Sequence, residues 1–154
     1  MLERASDLNE DHEYDEAILV YNKILESEPK HIPALLDKAA TLQRMGKNSQ
    51  SFLSYNSVLV EDPKNVDALI GKGTLLHAKS KFIDAIECYD LALKFKPLFA
   101  MALAYKGLSL GEMGEFNDAL YCFKKALIID KDYDLANMGK QKALELLKSQ
   151  KSKK

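Results

Sequence analysis

The stretch GKGT at residues 71–74 combines glycine, lysine and a hydroxyl side chain, which are residue types that bind phosphate. A phosphate-binding loop needs the order Gly-x-x-x-x-Gly-Lys-[Ser/Thr] after a strand, so that free backbone N–H groups and the lysine meet the phosphates. That order is absent here, because Lys72 precedes Gly73. The same lysine recurs 34 residues earlier and later, as Lys38 and Lys106. We therefore interpret the stretch as one copy of a repeat and predict no nucleotide site.

Histidine and cysteine side chains are the next candidates for chemistry, as metal ligands, nucleophiles or acid–base groups. His12, His31 and His77 share no metal-ligand spacing and no recurring cysteine or carboxylate partner. Cys88 and Cys122 lie 34 residues apart, at equivalent points of successive repeats. Such points are separated by more than the roughly 7 Å between Cα atoms that a disulfide tolerates. We predict two reduced thiols, no metal, no cofactor and no catalytic residue, so the chain is not expected to be an enzyme.

A basic residue recurs at one position of every copy, and the members of this lysine column are Arg4, Lys38, Lys72, Lys106 and Lys140. Such a column could form a cationic ladder for a polyanion. The net charge of the chain is only −1, and no aromatic residues interleave the column. We favour the alternative in which each aliphatic stem covers apolar surface while its charged head reaches water or a local acid. No nucleic-acid partner is predicted.

The composition is that of an ordinary globular protein, with 154 residues and a hydrophobic share of 47%. Residues 1–33 hold nine acids against three bases, whereas residues 134–154 hold two acids against six lysines. No apolar run approaches the roughly 20 residues that span a bilayer. The first sixteen residues are too acidic for a secretory signal. These features predict no membrane partner and a cytoplasmic location.

The sequence repeats with a period of 34 residues. Within each copy the apolar residues recur at intervals of three and four, which predicts two helices per copy. The columns in register are Pro29, Pro63 and Pro97; Leu8, Leu42, Leu76 and Leu110; Leu25, Leu59, Leu93 and Leu127; Tyr21, Tyr55, Tyr89 and Phe123; Ala5, Ala39, Gly73 and Gly107; and Ala17, Ser51, Ala85 and Ala119. Because two helices approach closely only where side chains are small, the two small-residue columns are expected to mark the crossing within each pair. Each proline follows a second helix, and Gly46 and Gly114 suit the turn between helices.

This pattern resembles the tetratricopeptide repeat, a 34-residue helix–turn–helix unit with small, aromatic and proline residues at these spacings. The resemblance implies an all-α fold, a right-handed α-solenoid. We predict one domain over residues 1–149, with a disordered basic tail at 150–154. The domain comprises repeats at 1–31, 32–65, 66–99 and 100–133 and a capping helix at 134–149. The expected helices, with no strand, span 1–11, 14–28, 32–45, 48–61, 66–79, 82–95, 100–113, 116–129 and 134–149.

In tetratricopeptide-repeat proteins the first helices of the pairs line a concave groove that holds peptides or partner helices. The resemblance therefore implies a protein-interaction scaffold or adaptor whose partner is a peptide or an amphipathic helix. The groove is expected to offer aliphatic anchors, a floor of small residues and one acidic group, Asp37. The predicted groove residues are Leu36, Asp37, Ala40, Gln43, Ile70, Gly71, Thr74, His77, Met101, Ala104, Tyr105 and Leu108.

A subset of this family clamps the C-terminal carboxylate of heat-shock chaperones with lysine, asparagine and arginine side chains. Framed on the first repeat, the matching residues are Leu2, Ser6, Asp37, Met101 and Tyr105; framed on the second, they are Leu36, Ala40, Gly71, Leu135 and Gly139. Neither frame holds a clamp residue, so a chaperone clamp is not expected. Two alternatives stay open. The chain could self-associate head to tail through its acidic and basic ends, or it could be the interaction domain of a larger protein.

Overall fold

The computed structural model describes residues 1–153, and this range contains nine α-helices and no strand. The first eight helices begin and end within one residue of the predicted bounds, and the all-α fold class is confirmed. The helices are α1 (Leu2–Glu10), α2 (Tyr14–Ser27), α3 (Ile32–Arg44), α4 (Asn48–Glu61), α5 (Val66–Ala78), α6 (Phe82–Phe95), α7 (Ala100–Glu112), α8 (Phe116–Ile129) and α9 (Asp134–Ser152). None of the helices in residues 1–153 has both the length and the apolar character that a membrane span requires.

The C-terminal helix differs from the prediction. α9 was expected to end at residue 149 and to be followed by a disordered tail at 150–154, but the helix continues to Ser152. These last residues contain neither proline nor glycine, and Lys151 lies in the last turn, where a cation interacts favourably with the helix dipole. Lys154 lies outside the described residues.

The chain divides into two compact units, Met1–Leu75 and Leu76–Lys154, called here the N-terminal and C-terminal units. In the N-terminal unit α1 packs on α2, α2 on α3 and α3 on α4, and α1 also contacts α3. Two clusters of buried residues form its core. They are Ala5, Ala17, Val20, Tyr21, Ile24 and Ala34, and then Leu35, Ala39, Tyr55, Val58, Ala68 and Leu75.

The C-terminal unit is built in the same way from the last turn of α5 and from α6 to α9. α6 packs on α7, α7 on α8 and α8 on α9, and α9 also contacts α7. The buried core of this unit is Leu103, Ala104, Ala119, Phe123, Ala126 and Ala136. The first helices α3 and α7 are therefore each held between two second helices, as the 34-residue period predicts.

The small-residue columns sit at close helix crossings, and the second repeat demonstrates it directly. Ala39 and Ser51 are completely buried, and the Ser51 hydroxyl donates a hydrogen bond of 2.7 Å to the Ala39 carbonyl. A hydroxyl can replace the methyl of Ala17 or Ala119 at this position because the backbone of the facing helix supplies its acceptor. The crossing thus stays tight although one member of the column is polar.

The turns inside the helix pairs share one backbone conformation. Gly46 and Gly114 have φ of 73° and 80°, as expected for residues that follow a helix end. His12 and Ser80 occupy the same column and also have positive φ, at 66° and 60°. The sequence pattern did not predict a positive φ at His12 and Ser80, because only glycine adopts this conformation without a steric cost.

Side chains from the connections between repeats cap two of the first helices. The backbone N–H of Ala34 donates to His31 Nδ1 at 3.1 Å, and the N–H of Ala68 donates to Asn65 Oδ1 at 3.0 Å. Capping satisfies backbone donors that have no partner within the helix. These bonds fix the start of α3 and α5, the two helices that hold the N-terminal part of the predicted groove.

Candidate functional site

Seven of the predicted groove residues belong to the N-terminal unit, on α3 and α5. Five of them are partly exposed, whereas Ile70 is only 6% exposed and Gly71 is buried. The structure brings the two helices together here, since Gln43 Nε2 on α3 donates to Thr74 Oγ1 on α5 at 2.9 Å. The residues are Leu36, Asp37, Ala40, Gln43, Ile70, Gly71 and Thr74.

A chain of hydrogen bonds crosses this surface. The Tyr55 hydroxyl donates to Gln43 Oε1 at 3.2 Å, Gln43 Nε2 donates to Thr74 Oγ1, and Thr74 Oγ1 donates to the Gly71 carbonyl at 2.8 Å. Burial raises the pKa of the Tyr55 hydroxyl to about 12, so it stays protonated and donates at neutral pH. The amide of Gln43 is therefore held in one orientation. The sequence predicted Tyr55 only as a member of the aromatic column. Its hydroxyl is the sequence feature that could have indicated its second role, as a hydrogen-bond donor to Gln43.

The expected role of Gly71 needs correction. Gly71 was predicted to form a floor that a partner backbone could approach, but a Cβ atom built on it would overlap the Tyr55 ring. The space left by the missing side chain is already filled by an aromatic ring from α4. Gly71 therefore serves the packing of Tyr55, and its buried position leaves no surface for a partner.

Asp37 is the acidic residue among the predicted groove residues of the N-terminal unit. Its carboxylate is partly buried on α3, and this burial raises its pKa. Within residues 1–153 no lysine, arginine or histidine forms a salt bridge with it. Its negative charge reaches Tyr21, whose pKa is raised first by burial and then by Asp37. Asp37 is thus a partly desolvated anion without a compensating cation.

The other five predicted groove residues belong to the C-terminal unit. Met101 is 41% exposed, and Tyr105 and Leu108 are partly exposed on the same helix, α7. Ala104 was predicted as part of the floor, but it is 0% exposed, so the prediction is wrong for this residue. Its methyl group packs in the core of the unit with residues such as Leu103 and Phe123. The fifth residue is His77, at the end of α5.

His77 has intramolecular partners for its ring. His77 Nδ1 lies 2.8 Å from Ser109 Oγ, with which it shares a hydrogen bond, and its ring meets the edge of Phe82 at a centroid distance of 5.1 Å. Ser109 is completely buried and was not among the predicted residues. The position of Ser109 three residues before the end of α7 gave no sign of this contact, which joins residues 32 apart in sequence.

One contact recurs in three of the four repeats. There the aromatic side chain of the aromatic column meets the residue sixteen positions later, on the next first helix. The Tyr89 ring stacks on Tyr105 at 6.0 Å, with 22° between the planes. The other two contacts join Tyr55 with Gly71 and Phe123 with Gly139. At the equivalent place in the first repeat, the charge of Asp37 acts on Tyr21 and raises its pKa.

The lysine column has local partners in two of its members. Lys106 Nζ lies 2.6 Å from Asp90 Oδ1, and Lys72 Nζ lies 5.3 Å from the centre of the Phe52 ring. A cation over an aromatic face is stabilised by the ring electrons. Both partners lie in the preceding repeat, and both contacts agree with the interpretation that the lysines of the column cover apolar surface or meet a local acid.

Within residues 1–153 no three histidine, cysteine, aspartate or glutamate side chains lie close enough together to hold a metal ion. Within residues 1–153 no disulfide joins Cys88 and Cys122. Burial raises the pKa of the Cys122 thiol, which keeps it protonated. A protonated thiol is a poor nucleophile.

No protein-family model matches the sequence. No curated protein matches it either. Solved structures do resemble it. The crystal structure of MamA is 22% identical, with 97% of this chain and 97% of that chain covered and a TM-score of 0.77.

Two further structures are tetratricopeptide-repeat proteins by name. One, from Parabacteroides merdae, is 20% identical and has a TM-score of 0.82, covering 96% of this chain and 59% of that chain. The other is the first tetratricopeptide repeat domain of Spaghetti (RPAP3) bound to the HSP90 peptide SRMEEVD. It is 17% identical, with a TM-score of 0.72 over 75% of this chain and 92% of that chain. Together with the 34-residue period, these likenesses confirm the resemblance: the chain has the all-α solenoid fold of the tetratricopeptide-repeat family.

Proposed function

We propose that the chain is a protein-interaction module that binds a peptide or an amphipathic helix on its first helices. The observation that carries this proposal is Asp37, a partly buried carboxylate without a cation on the exposed side of α3. A desolvated charge without a partner is unfavourable, so a cation brought by a partner would gain a strong contact there. The proposed function is therefore binding at a surface and not catalysis by a reactive side chain.

The neighbours of Asp37 define the partner more closely. Leu36, the preceding residue, is partly exposed and offers an aliphatic contact. The Gln43 amide, held by Tyr55 and Thr74, keeps one N–H and one oxygen lone pair free for a peptide backbone. A partner segment with a lysine or arginine flanked by apolar residues would pair its cation with Asp37, pack an apolar side chain on Leu36 and hydrogen-bond its backbone to Gln43.

The C-terminal unit supplies a second set of contacts. Met101, Tyr105 and Leu108 expose part of their side chains along α7 and are the proposed apolar anchors. Gly71 and Ala104 are left out of the proposed site because they are buried, and Ile70 contributes little for the same reason. The interaction energy is expected to concentrate in a few such anchors.

The Spaghetti domain is bound to the HSP90 peptide SRMEEVD, which is acidic. In the present chain the positions matching the carboxylate clamp hold no lysine, arginine or asparagine in either frame, and one of them is Asp37. An acidic peptide end would therefore meet a negative charge. We propose a partner of the opposite charge and no chaperone-clamp activity.

The test uses a partner identified by affinity capture and mass spectrometry, with dissociation constants measured by calorimetry. The double variant Leu36→Gln with Asp37→Asn removes both the apolar contact and the anion, so we expect at least a tenfold loss of affinity. Leu53→Gln is the matched control, because Leu53 is 66% exposed on α4 and lies outside the proposed site. Unchanged affinity of the double variant would overturn the proposal.

A second candidate function is head-to-tail self-association. Glu10, Glu13 and Glu16 are exposed near the N-terminus, and Lys148 and Lys151 are exposed on α9. Opposite charges at the two ends suit a heterologous contact between copies. Light scattering at increasing protein concentration tests this. Mass that rises with concentration and falls with added salt would favour it over the monomeric module.

A further inference from the structure

A cavity of about 180 Å³ lies between α7, α8 and α9, inside the C-terminal unit. Its lining is mainly apolar and includes Phe116, Phe123 and Leu146. Leu108, one of the proposed anchors on α7, also borders it. The cavity therefore opens next to the surface that the proposed function assigns to a partner.

Glycines create this space. A Cβ atom on Gly107 would lie 2.7 Å from the Phe123 ring, and one on Gly139 would overlap the same ring, so Phe123 fills the gap at both. Gly111 is different, because a Cβ atom built on it has no other atom within 4 Å. Phe123 thus forms the floor of the cavity, and Gly111 leaves one wall open.

The size of the cavity limits what it holds. An apolar cavity of about 150 Å³ accommodates benzene, whereas sites for drug-sized ligands usually enclose about 300–1,000 Å³. A volume of about 180 Å³ therefore suits one aromatic ring or one branched aliphatic group and excludes a whole cofactor.

The rim of the cavity carries one charge of each sign. Glu112 on α7 and Lys142 on α9 both line it and are both exposed. A carboxylate accepts hydrogen bonds and an ammonium group donates them, which matches the N–H and C=O groups of a peptide on either side of an inserted side chain. A free hydrocarbon would leave both groups unused.

We propose that this cavity receives one large apolar side chain of the partner, the size of phenylalanine, while Glu112 and Lys142 bond the adjoining peptide backbone. The inference rests on the proposed function and names the anchor that the partner inserts. It also gives α9 a role beyond that of a solvating cap, because α9 forms one wall of the site.

The experiment uses N-acetyl-phenylalaninamide as the probe and N-acetyl-alaninamide as its control, titrated into the full chain. Amide chemical shifts of Gly111 and Gly139 report on occupancy of the cavity. Because the phenyl ring buries more apolar area than a methyl group, we expect the phenylalanine probe to bind roughly tenfold more tightly or better. For a ligand of this size, the dissociation constant should be on the order of millimolar.

Gly111→Leu fills the cavity, and Gly111→Ala is its matched control. The Cβ atom that both variants add meets no other atom within 4 Å, and thermal melts show whether both variants fold. We expect the leucine variant to lose the probe and the alanine variant to keep it. Gly111→Met, with a more flexible side chain, is a second filling variant that serves if leucine prevents folding.

Retained binding of the phenylalanine probe by the filled variants, or no shift at Gly111 and Gly139 in the unmodified chain, would overturn the inference. Once a partner is known, the same variants separate the two proposals. Loss of partner binding in Asp37→Asn with normal binding in Gly111→Leu would reject the cavity and leave the proposed function standing.

Discussion

Tyr55 in the N-terminal unit and Phe123 in the C-terminal unit occupy the same position of the repeat, yet their surroundings differ. The Tyr55 ring covers Gly71, and its hydroxyl starts a chain of hydrogen bonds through Gln43 and Thr74. The Phe123 ring covers Gly139 in the same manner but has no hydroxyl, and it forms the floor of an apolar cavity.

The difference shows what the repeat fixes and what it leaves free. Helix packing sets the position of the ring and requires a small residue opposite it in both units. The Tyr55 hydroxyl is bonded to Gln43, whereas the hydroxyls of Tyr21 and Tyr89 in the same column are buried and form no hydrogen bond within residues 1–153. A phenylalanine has no hydroxyl to satisfy, so glycines and apolar residues can surround it. The polar surface at Tyr55 therefore depends on Gln43 and Thr74 as well as on the tyrosine.

The largest expected effect comes from filling the space opposite either ring. Gly71→Ala and Gly139→Ala place a methyl group inside the aromatic ring of Tyr55 or Phe123. We expect each to lower the free energy of unfolding by about 1–3 kcal/mol through overpacking. Urea denaturation measures this. Gly111→Ala is the control, and it should be neutral or stabilising by up to about 1 kcal/mol, since alanine favours the helix. Equal losses at all three glycines would break the comparison.

Exchanging the two ring types tests the comparison directly. Phe123→Tyr brings a hydroxyl into the apolar lining, where we expect a loss of about 1–3 kcal/mol for a buried polar group without a partner. Tyr55→Phe should cost less, about 0.5–1.5 kcal/mol, because Gln43 is partly exposed and water can replace the lost hydrogen bond. The comparison fails if Phe123→Tyr is as stable as the unmodified chain in urea.

The turns offer a contrast within the C-terminal unit. Ser80 holds a positive φ that Gly114 adopts without steric cost at the equivalent position. Ser80→Gly should raise stability by roughly 1 kcal/mol, and Gly114→Ser should lower it by a similar amount. Thermal melts of the two variants give the answer. If Ser80→Gly raises the stability and Gly114→Ser lowers it, then both turns favour glycine in the same way, whichever aromatic ring lies in the core of the repeat.

Asp37 opposite Tyr21 is expected to give the smallest effect. The raised pKa of Asp37 means that the folded chain holds its proton more firmly than the unfolded chain, whose carboxyl has the ordinary value of 3.8. Folding is therefore favoured as the pH falls from above the raised pKa towards 3.8. Asp37→Asn should be slightly more stable than the unmodified chain at neutral pH, and this advantage should vanish below about pH 3.8. Unfolding measured across the pH range would contradict this if the advantage grew on acidification.

The sequence alone predicts the helices well because the 34-residue period repeats four times. Proline, small-residue and aromatic columns restrict each helix to one place, and eight helices end within one residue of expectation. α9 has no following proline to mark its end, and its end was placed too early.

The groove residues were predicted less well, for a physical reason. Periodicity indicates which face of a helix a residue occupies but not how deep that face lies. Gly71 and Ala104 occupy the predicted positions yet are buried, one under the Tyr55 ring and the other in the core. The cavity beside Gly111 is lined by residues of three helices. The spacing of residues within a single helix therefore does not predict it.

The neighbour-to-neighbour packing of the helices also bears on how the chain folds. The buried residues of each core cluster lie within about forty residues of one another, and the helix contacts within each unit join a helix to the next one or two along the chain. Contacts that are this local give a low contact order, which is associated with fast folding. During synthesis the cluster from Ala5 to Ala34 can therefore close while most of the chain is still to be translated, so apolar surface is hidden from other proteins early.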